Sequence, residues 1–562
     1  MASLQKKTVS GHTYWQIVAS RRVHGKPRPV VLAHLGKADD LLAKLQAAKP
    51  YEALVLDYAA VAALWHAAEQ LQLHALIARH VPKRHQGHAV ADYLLLAALS
   101  RALQPVPKTR IARWYHQTVL RRLLPMPLAN LSSQRFWDHM NYVDTAAIDG
   151  IEQDLSKQFV ERFGINLQTL FFDATNFDTF IDSHTSARLP QRGHAKSHRT
   201  DLRLVGLALM VSADFQIPLL WQVYPGNQPD SVTFGRLLPR LAQRHRQLLP
   251  GIDQHITLVF DKGNNSKKNI ARLTRTPYHI IGSLVPTQHA DLLAIPLKRF
   301  HRLPQRLGKT WVYRTTKEVY GREWTIVVTR SHSLLRGQVR GIRQHLHKKI
   351  QRLKDLKHKL AQSQKPSSHG QGYTVASLTK HIDEITQGQY VRDILKARVT
   401  TVHGELQLEY EVDKAAFAKL RRDVLGKRLL FTDNHDWSEE QIVAGYRGQH
   451  HVERAFRDLK DPAVVQFAPM FHWTDSKIRV HALTCVLALT LVGLVHRQVV
   501  QAGVDISRWR LLEELKHIQE VTNLYAAPSG RGKPRSETVL TQRTSLQKRL
   551  CTILNLEPNP GR

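Results

Sequence analysis

The pattern of hydrophobic and polar residues changes several times along the chain, and each change predicts a different kind of structure. Two β-rich runs within residues 13–34, YWQIVAS and PVVLAHL, predict a hairpin. Apolar residues then recur at helical spacing between residues 51 and 160. From residue 165 onward, apolar runs and helical segments follow one another in the order β-β-β-α-β-α-β. We therefore predict an α/β protein with a helical region ahead of its sheet.

The α/β part contains five predicted strands. Their sequences are LQTLFFD, RLVGLALMVSAD, PLLWQVY, HITLVFD and HIIGSLV. A helix over 232–249 separates the third strand from the fourth, and a short helix separates the fourth from the fifth. Each run is almost wholly apolar, which is typical of strands that are covered on both faces.

The segment from about 290 to 440 has a different pattern. TWVYRTT and EWTIVVTR predict an antiparallel pair, and TTVHGELQLEYEV predicts a second hairpin. Between them a long basic helix carries an apolar stripe: Leu335, Val339, Ile342, Leu346, Ile350, Leu353, Leu356 and Leu360. Such a stripe either packs against a neighbouring element or forms a coiled-coil pair. SQKPSSHGQG, at 363–372, predicts a linker or loop, and SGRGKPRSE in the tail predicts a basic surface loop.

These changes in pattern suggest six segments. They are a small β-hairpin element at 1–50, a helical region at 51–160, the first part of an α/β core at 161–290, a β-rich insertion with the long basic helix at 291–435, the second part of the core at 436–500, and a helical, basic tail at 501–562.

The net charge of the chain indicates which class of molecule it binds. The chain has 81 Lys and Arg against 46 Asp and Glu, a net charge of +35. Solubility alone needs a net charge of only about 2–8 in a small domain, whereas phosphates release counterions when cations neutralise them. The basic residues run along the whole chain, which favours nucleic acid over a membrane surface. In the helical region at 51–160, Trp114 and Tyr115 lie among five basic residues, Lys108, Arg110, Arg113, Arg121 and Arg122. This mixture suits either DNA contact or a solvated helix face, and we predict that the region binds DNA.

Cysteine content and hydropathy indicate the compartment. Two cysteines, Cys485 and Cys551, can form neither a disulfide framework nor a Cys-rich zinc site. The apolar stretch from Val480 to Val495 is too short to span a bilayer, so we predict a buried core helix. We expect a cytoplasmic, nucleoid-associated bacterial protein that does not bind membranes.

Two similar phrases end in an aspartate. Residues 169–173, TLFFD, and residues 257–261, TLVFD, each form an apolar run that ends in Asp173 or Asp261. A buried strand that ends in a carboxylate is a rigid place from which to hold a metal ion. The alternative is that each Asp only turns the chain after its strand. The occurrence of both phrases within one α/β unit favours the metal-binding interpretation.

A third element supplies a glutamate. YRGQHHVERAFRDLK, from Tyr446 to Lys460, predicts one helix. Tyr446, Glu453 and Lys460 are seven residues apart, so they lie along one face, and Gln449 and Arg457 join that face at four residues from Glu453. The alternative is a solvent-facing helix with charge pairs between successive turns.

These three pieces together resemble the DDE insertion-sequence transposases that carry a tyrosine–arginine–glutamate–lysine signature. Tyr446, Glu453 and Lys460 match the spacing of that signature, whereas Gln449 stands where the family has arginine. The charge that Gln449 lacks could come from Arg447, Arg454 or Arg457. Two further stretches are similar to the family: GHAKSHR at 193–199 with the Asp-Leu pair that follows, and PGNQPD at 225–230. The resemblance covers 165–290 and 435–500.

The resemblance implies a fold and a chemistry. It implies an RNase H-like core interrupted by a β-rich insertion, with Asp173, Asp261 and Glu453 as catalytic residues and metal ligands. Two Mg²⁺ or Mn²⁺ ions, about 3.5–4 Å apart, would hold the attacking and leaving oxygens while water nicks the DNA and the freed 3′-OH then joins the target. It implies the terminal inverted repeats of an element and target DNA as partners, and a homodimer in the DNA complex.

The resemblance also implies DNA-contacting residues. Tyr446, Gln449, Arg457 and Lys460 would contact phosphate. Trp311 or Trp324 in the insertion would stack an unpaired base, or alternatively each tryptophan fills the core of the insertion. Two other functions stay open: a catalytically silent DNA-binding descendant of a transposase, and a non-mobile RNase H-like nuclease.

Overall fold

A computed structural model describes residues 2–23, 26–47, 49–83, 87–182, 184–195, 199–248, 256–364, 372–402, 404–526 and 535–557. Most of the predicted linker at 363–372, most of the basic loop at 529–537 and residues 196–198 of the GHAKSHR stretch lie outside the described residues. The chain divides into two compact units, and both are discontinuous in sequence. The first unit is Met1–Phe159, Phe177–Val205 and Ala455–Arg562, and the second is Val160–Asn176 and Gly206–Arg454.

The N-terminal part contains two strand systems and a set of helices. Its strands are β1 (Ala2–Val9), β2 (His12–Val23), β3 (Lys26–Gly36) and β4 (Pro50–Asp57). Its helices are α1 (Ala38–Ala47), α2 (Ala59–Gln70), α3 (Leu73–His80), α4 (Val90–Leu103), α5 (Ile111–His116), α6 (Leu120–Leu123), α7 (Ser133–Met140) and α8 (Thr145–Phe163). The predicted hairpin is confirmed, since β2 pairs with β3 in antiparallel fashion, and β1 adds a third strand. Trp114 and Tyr115 of α5 are buried, so they fill the core and do not contact DNA.

The middle of the chain alternates strands and helices. The strands are β5 (Thr169–Thr179), β6 (Arg203–Ser212), β7 (Pro218–Pro225), β8 (Thr257–Phe260), β9 (His279–Leu284), β10 (His301–Arg302), β11 (Thr310–Val319), β12 (Arg322–Ser331), β13 (Leu395–Val402), β14 (Glu405–Val412) and β15 (Lys427–Thr432). The helices are α9 (Asp230–Leu248), α10 (Lys267–Leu273), α11 (Ala290–Leu293), α12 (His332–Ser363), α13 (Val375–Thr386), α14 (Val391–Ile394) and α15 (Lys414–Asp423). The predicted order β-β-β-α-β-α-β from β5 to β9 is confirmed.

One mixed sheet organises the second unit. Its order is β10-β11-β12-β15-β9-β8-β5-β6-β7. β5 and β8 are parallel, as are β8 and β9, whereas β9, β15, β12, β11 and β10 pair in antiparallel fashion. The strands of the predicted insertion therefore extend the same sheet, because β15 pairs with β9. Only β13 and β14, the second predicted hairpin, form a separate two-stranded sheet.

The long basic helix packs within its own unit. Ile342, Leu346, Leu353, Leu356 and Leu360 of α12 are buried in a cluster with residues of α13, α14, β13 and β14. Leu335, Val339 and Ile350 pack against the same cluster. The apolar stripe of α12 thus packs against neighbouring elements, which is the first of its two predicted roles.

The C-terminal part contains a buried helix and a pair of strands. Its elements are α16 (Glu439–Arg447), α17 (His450–Lys460), α18 (Asp475–Gln501), α19 (Arg508–Lys516), β16 (Gln519–Tyr525), β17 (Arg535–Leu540) and α20 (Ser545–Leu554). α18 is long and apolar enough to cross a membrane, but 94% of its apolar window is buried inside the protein, as expected of a core helix. The tail is not only helical, because β16 pairs with β17 and also with β4 near the N-terminus.

A lysine of the first unit is held away from solvent. Lys108 Nζ lies 2.9 Å from His472 Nε2 and 4.8 Å from the centre of the Trp137 ring. Burial, reinforced by the charge of Arg101, lowers the pKa of Lys108 to about 7. The folded protein therefore releases a proton from Lys108 that the unfolded chain keeps up to a pH of about 10.4.

We expect the stability of this unit to depend on pH through Lys108. Between pH 7 and about 10 the unfolded state binds more protons, so the free energy of unfolding should rise with pH. Lys108→Met removes the titrating group and should remove that part of the rise. Urea denaturation of both proteins at about pH 7 and about pH 9.5 measures the difference. An identical pH dependence in the two proteins would contradict the expectation.

Candidate functional site

The two predicted aspartates occupy adjacent positions on two neighbouring parallel strands. Phe172 of β5 is paired with Phe260 of β8 in the register of the sheet. Asp173 and Asp261 are the next residues, so their carboxylates are carried at the same level of the two strands. Asp261 directly follows β8, whereas β5 continues to Thr179, so the prediction that the first strand ends at Asp173 is wrong. Asp173 is half-buried and Asp261 is exposed. The structure therefore brings these two predicted site residues together.

The packing of the phenylalanines shows which face of the sheet the carboxylates occupy. Phe172 and Phe260 both contact Phe234 of α9, at 4.8 and 5.2 Å between ring centres. Successive side chains on a strand point to opposite faces, so Asp173 and Asp261 point away from α9. Phe171, which shares the face of Asp173, lies 5.1 Å from the His451 ring of α17. The carboxylates therefore lie on the face that α16 and the start of α17 cover.

Tyr446 reaches Asp261 from α16. Its hydroxyl donates a hydrogen bond to Asp261 Oδ1 at 3.2 Å, and its ring is buried beneath the guanidinium of Arg428, 5.1 Å from the ring centre. Burial and then the charge of Asp261 raise the pKa of Tyr446 to about 12. Tyr446 therefore keeps its proton at neutral pH and acts as a donor to Asp261.

The prediction of one continuous helix from Tyr446 to Lys460 is wrong. α16 ends at Arg447, and α17 begins at His450. At Gly448 a Cβ atom would lie 2.3 Å from the Phe171 ring, so the chain can pass this close to the sheet only with glycine. Gln449 Nε2 donates to the carbonyl oxygen of Phe172 at 3.1 Å. Tyr446 and Gln449 therefore contact the sheet, and they do not share one straight helical face with Glu453.

Glu453, Arg457 and Lys460 are all exposed on α17. Their spacing of four and three residues places them on one face of that helix, as predicted. Glu453 lies in the first turn, where the helix dipole favours a negative charge. Among the residues that the structure describes, no three His, Cys, Asp or Glu side chains lie close enough to hold one metal ion. The structure therefore pairs the two aspartates without grouping Glu453 with them.

The chemistry of the donor set fits a hard divalent cation. Magnesium and manganese prefer oxygen ligands, and the side chains of Asp173 and Asp261 are both carboxylates. Three buried amide oxygens in this unit, those of Asn264, Asn265 and Gln449, have no hydrogen-bond partner within the described part of the chain. Asn264 and Asn265 follow Asp261, and Gln449 contacts the residue before Asp173. The site thus offers oxygen atoms of the kind that such a cation accepts.

Two residues near Asp173 had no role in the sequence-based interpretation. Tyr224 donates a hydrogen bond to Asp230 Oδ1 at 2.9 Å, and Asp173 is close enough to help raise the pKa of Tyr224, after burial and Asp230. A Cβ atom at Gly206 of β6 would lie 2.2 Å from the Tyr224 ring, so the glycine leaves space for that ring. In the sequence, the signal for Asp230 was its place in the PGNQPD stretch. That stretch alone does not show that Tyr224 and Asp230 lie near Asp173.

The two tryptophans proposed to stack a base differ in exposure. Trp324 is 0% exposed, packs edge-on against Phe431 at 5.2 Å, and donates from Nε1 to the carbonyl oxygen of Val319. The assignment of Trp324 to DNA contact is therefore corrected, because its ring fills the core. Trp311 is half-buried on β11 opposite Arg330, so its assignment stays a prediction.

Three arginines could supply the charge that Gln449 lacks. One of them, Arg447, already makes hydrogen bonds within the protein. Arg447 donates to the carbonyl oxygen of Leu307 and to Thr310 Oγ1 at 2.5 and 2.6 Å. Burial and then Arg428 lower the pKa of Arg447. Arg454 and Arg457 are exposed on α17 and are better placed to meet a phosphate.

Comparison with known proteins gives remote structural likeness only. No protein-family model and no curated protein matches the sequence. Among solved structures, the chain is similar to piggyBac transposase in a synaptic complex with hairpin DNA, with 9% sequence identity and a TM-score of 0.35. The match covers 81% of this chain and 78% of the other. A TM-score at this level does not establish a common fold, and the function therefore has to be inferred from the site itself.

Proposed function

We propose that the chain is a DNA transposase that cleaves the ends of its element and joins them to target DNA. The observation that carries the proposal is the adjacent position of Asp173, on β5, and Asp261, directly after the neighbouring parallel strand β8. Tyr446, which matches the first residue of the transposase signature, contacts Asp261 directly. Two similar phrases and a signature residue thus meet at one place on one sheet.

We propose Asp173, Asp261 and Glu453 as the metal ligands and catalytic residues. The ions, Mg²⁺ or Mn²⁺, would polarise the scissile phosphate and stabilise the charge on the attacking and leaving oxygens. The protein would hold Asp261 in place through the Tyr446 hydroxyl and hold the start of α17 through Gln449. Glu453 would join the aspartates once α17 shifts on binding DNA, since such sites commonly tighten only in the complex with substrate.

An RNase H-like core is the finer proposal for the fold. In its support, β5 lies at the centre of the group β7-β6-β5-β8-β9, with the next two strands on one side and the two parallel strands on the other. The long segment between Asp261 and Glu453, which contains β10–β15 and α12, takes the place of the insertion that the family resemblance implies.

DNA is the proposed partner, as element ends and as target, in a complex that contains two copies of the chain. The exposed side of α12 supports this proposal. Its cations Arg336, Arg340, Arg343, Lys348 and Arg352 recur every three to five residues and are exposed. The ion pairs found among the described residues include none of these five. A phosphate backbone would neutralise them and release counterions.

The test of the proposed function uses DNA from both flanks of the gene. Purified protein should nick or cut this DNA at defined ends when Mg²⁺ or Mn²⁺ is present. It should show no cleavage when EDTA removes the metal. Joining of the released 3′-OH ends to a plasmid would then demonstrate strand transfer. Specific binding of the flanks without cutting under any metal would favour a catalytically silent descendant. Cutting of unrelated DNA without joining would favour a non-mobile nuclease.

Lys460 provides a prediction for DNA contact on α17. The Lys460 side chain is exposed, so Lys460→Ala should weaken DNA binding uniformly and reduce the slope of log K against log salt by about one. Fluorescence anisotropy over a salt series measures the slope. Lys380→Ala, an exposed lysine on α13, is the matched control. A slope equal to that of the wild type would make Lys460 an ordinary surface charge.

A further inference from the structure

Three aromatic side chains of the first unit stand unusually far into solvent. Phe180, Phe471 and Trp473 are 43%, 54% and 63% exposed. Phe180 and Phe471 lie together, with 5.5 Å between their ring centres. We define these three residues as the aromatic patch. Exposed aromatic rings forgo the stabilisation that burial gives, and a patch of them usually marks a surface that binds something.

The backbone beneath the aromatic patch is fixed. The N–H of Phe180 donates to the carbonyl oxygen of Met470 at 2.9 Å. Thr185 Oγ1 donates to the carbonyl oxygen of Trp473, and the N–H groups of Arg188 and Leu189 donate to the Asp475 carboxylate. The patch is therefore presented by a tied backbone, so little ordering cost arises when a ligand binds.

The residue between the two C-terminal rings is anchored in the core. His472 is buried, and its ring lies 4.4 Å from the His481 ring and 5.2 Å from the Trp137 ring. In an extended segment alternate side chains point to opposite sides. The burial of His472 therefore turns Phe471 and Trp473 outward together.

Cations lie on the segments that carry the aromatic patch. Arg188 is exposed on the loop that is tied to Trp473 and Asp475. Lys477 follows Trp473 by four residues, and its ammonium group lies 5.0 Å from the Trp137 ring. The same segments carry two carboxylates that accept backbone hydrogen bonds: Asp182 accepts from the N–H of His184, and Asp475 accepts from those of Arg188 and Leu189. Rings that share their segments with these cations fit a ligand that has both flat apolar faces and negative charge.

We propose that the aromatic patch binds single-stranded DNA by stacking its bases on Trp473 and Phe471. Aromatic rings stack on any base, and nearby lysine and arginine side chains follow the phosphates of such strands. Duplex DNA keeps its bases stacked on one another and cannot use these rings in this way. The proposal rests on DNA as the partner in the proposed function, but it requires no cleavage.

The experiment measures binding of a short fluorescein-labelled oligothymidine to the full chain by anisotropy. Trp473→Ala should weaken this binding about 5- to 150-fold, and Phe471→Ala should act in the same direction. Trp473→Phe keeps a ring and should retain most of the affinity. The matched control is Trp509→Ala, because Trp509 is 52% exposed on α19 outside the aromatic patch. Duplex DNA of the same length should bind Trp473→Ala as it binds the wild type.

Each outcome decides the proposal. Unchanged oligothymidine binding by Trp473→Ala would overturn it, as would an equal loss for single-stranded and duplex DNA. A loss of self-association in Trp473→Ala, seen by sedimentation without any loss of DNA affinity, would make the aromatic patch a contact between copies and would also overturn it. If the wild-type protein cuts element ends and Trp473→Ala binds oligothymidine with wild-type affinity, the proposed function stands and only the proposal for the aromatic patch is rejected. If the wild-type protein does not cut element ends but Trp473→Ala loses affinity for oligothymidine, only the proposed function is rejected.

Discussion

Asp173→Asn and Asp261→Asn are each expected to lower the rate of DNA strand cleavage by roughly 10²–10⁴, with little change in DNA affinity. The amide removes a negative charge and a proposed metal ligand at Asp173 or Asp261. Loss of several kcal/mol of charge stabilisation in the transition state corresponds to rate losses of this size. DNA affinity comes mainly from cations spread over the chain, so the binding step should survive.

The same assay on Glu453→Gln tests whether the exposed glutamate of α17 belongs with the two aspartates. Asp383→Asn is the matched control, because Asp383 lies on α13 and its carboxylate pairs with Arg392. The control should cut at the wild-type rate. Any of the three site variants that still cuts element ends near that rate does not act in the site.

Trp324→Ala is expected to reduce the free energy of unfolding by about 3–5 kcal/mol, as loss of a large buried aromatic side chain does. The Trp324 ring is fully buried against Phe431 in the sheet, and its Nε1 donates a buried hydrogen bond to Val319. Truncation therefore leaves a cavity in the core and removes this buried hydrogen bond. Chemical denaturation monitored by circular dichroism measures the loss.

Two further variants separate packing from DNA contact at these tryptophans. Trp324→Phe keeps an aromatic ring and should cost less stability than Trp324→Ala. Trp311→Ala should cost less as well, because Trp311 is only half-buried. A Trp324→Ala protein with unchanged stability and weakened DNA binding would contradict the buried position.

The apolar start of β5 and the whole of β8 could be predicted from the sequence. Residues 170–172 and 258–260 are buried and apolar, and both apolar runs stop before Asp173 and Asp261. The continuation of β5 to Thr179 could not be predicted in this way, because most of its residues after Asp173 are polar. The order of strands and helices from β5 to β9 follows from the same signal. Strands with mostly exposed side chains give no such pattern, and β1 and β17 are examples. These strands were not predicted.

The local structure around Glu453 could not be predicted, because it depends on contacts distant in sequence. The seven-residue spacing of Tyr446, Glu453 and Lys460 fits a continuous helix, and a single glycine is tolerated within one. Contact of Gly448 with the Phe171 ring breaks the helix there. The burial of Trp324 likewise depends on β15, which is distant in sequence. The residues next to Trp324 in the sequence are typical of a surface strand, so they do not predict that burial.

The most direct test of the central claim is anomalous scattering from Mn²⁺ in crystals of the full chain bound to element-end DNA. The account predicts manganese on the carboxylates of Asp173 and Asp261 beside a DNA phosphate, and loss of that signal in Asp261→Asn. Manganese that is absent from both carboxylates in a complex that still cuts its DNA would contradict it.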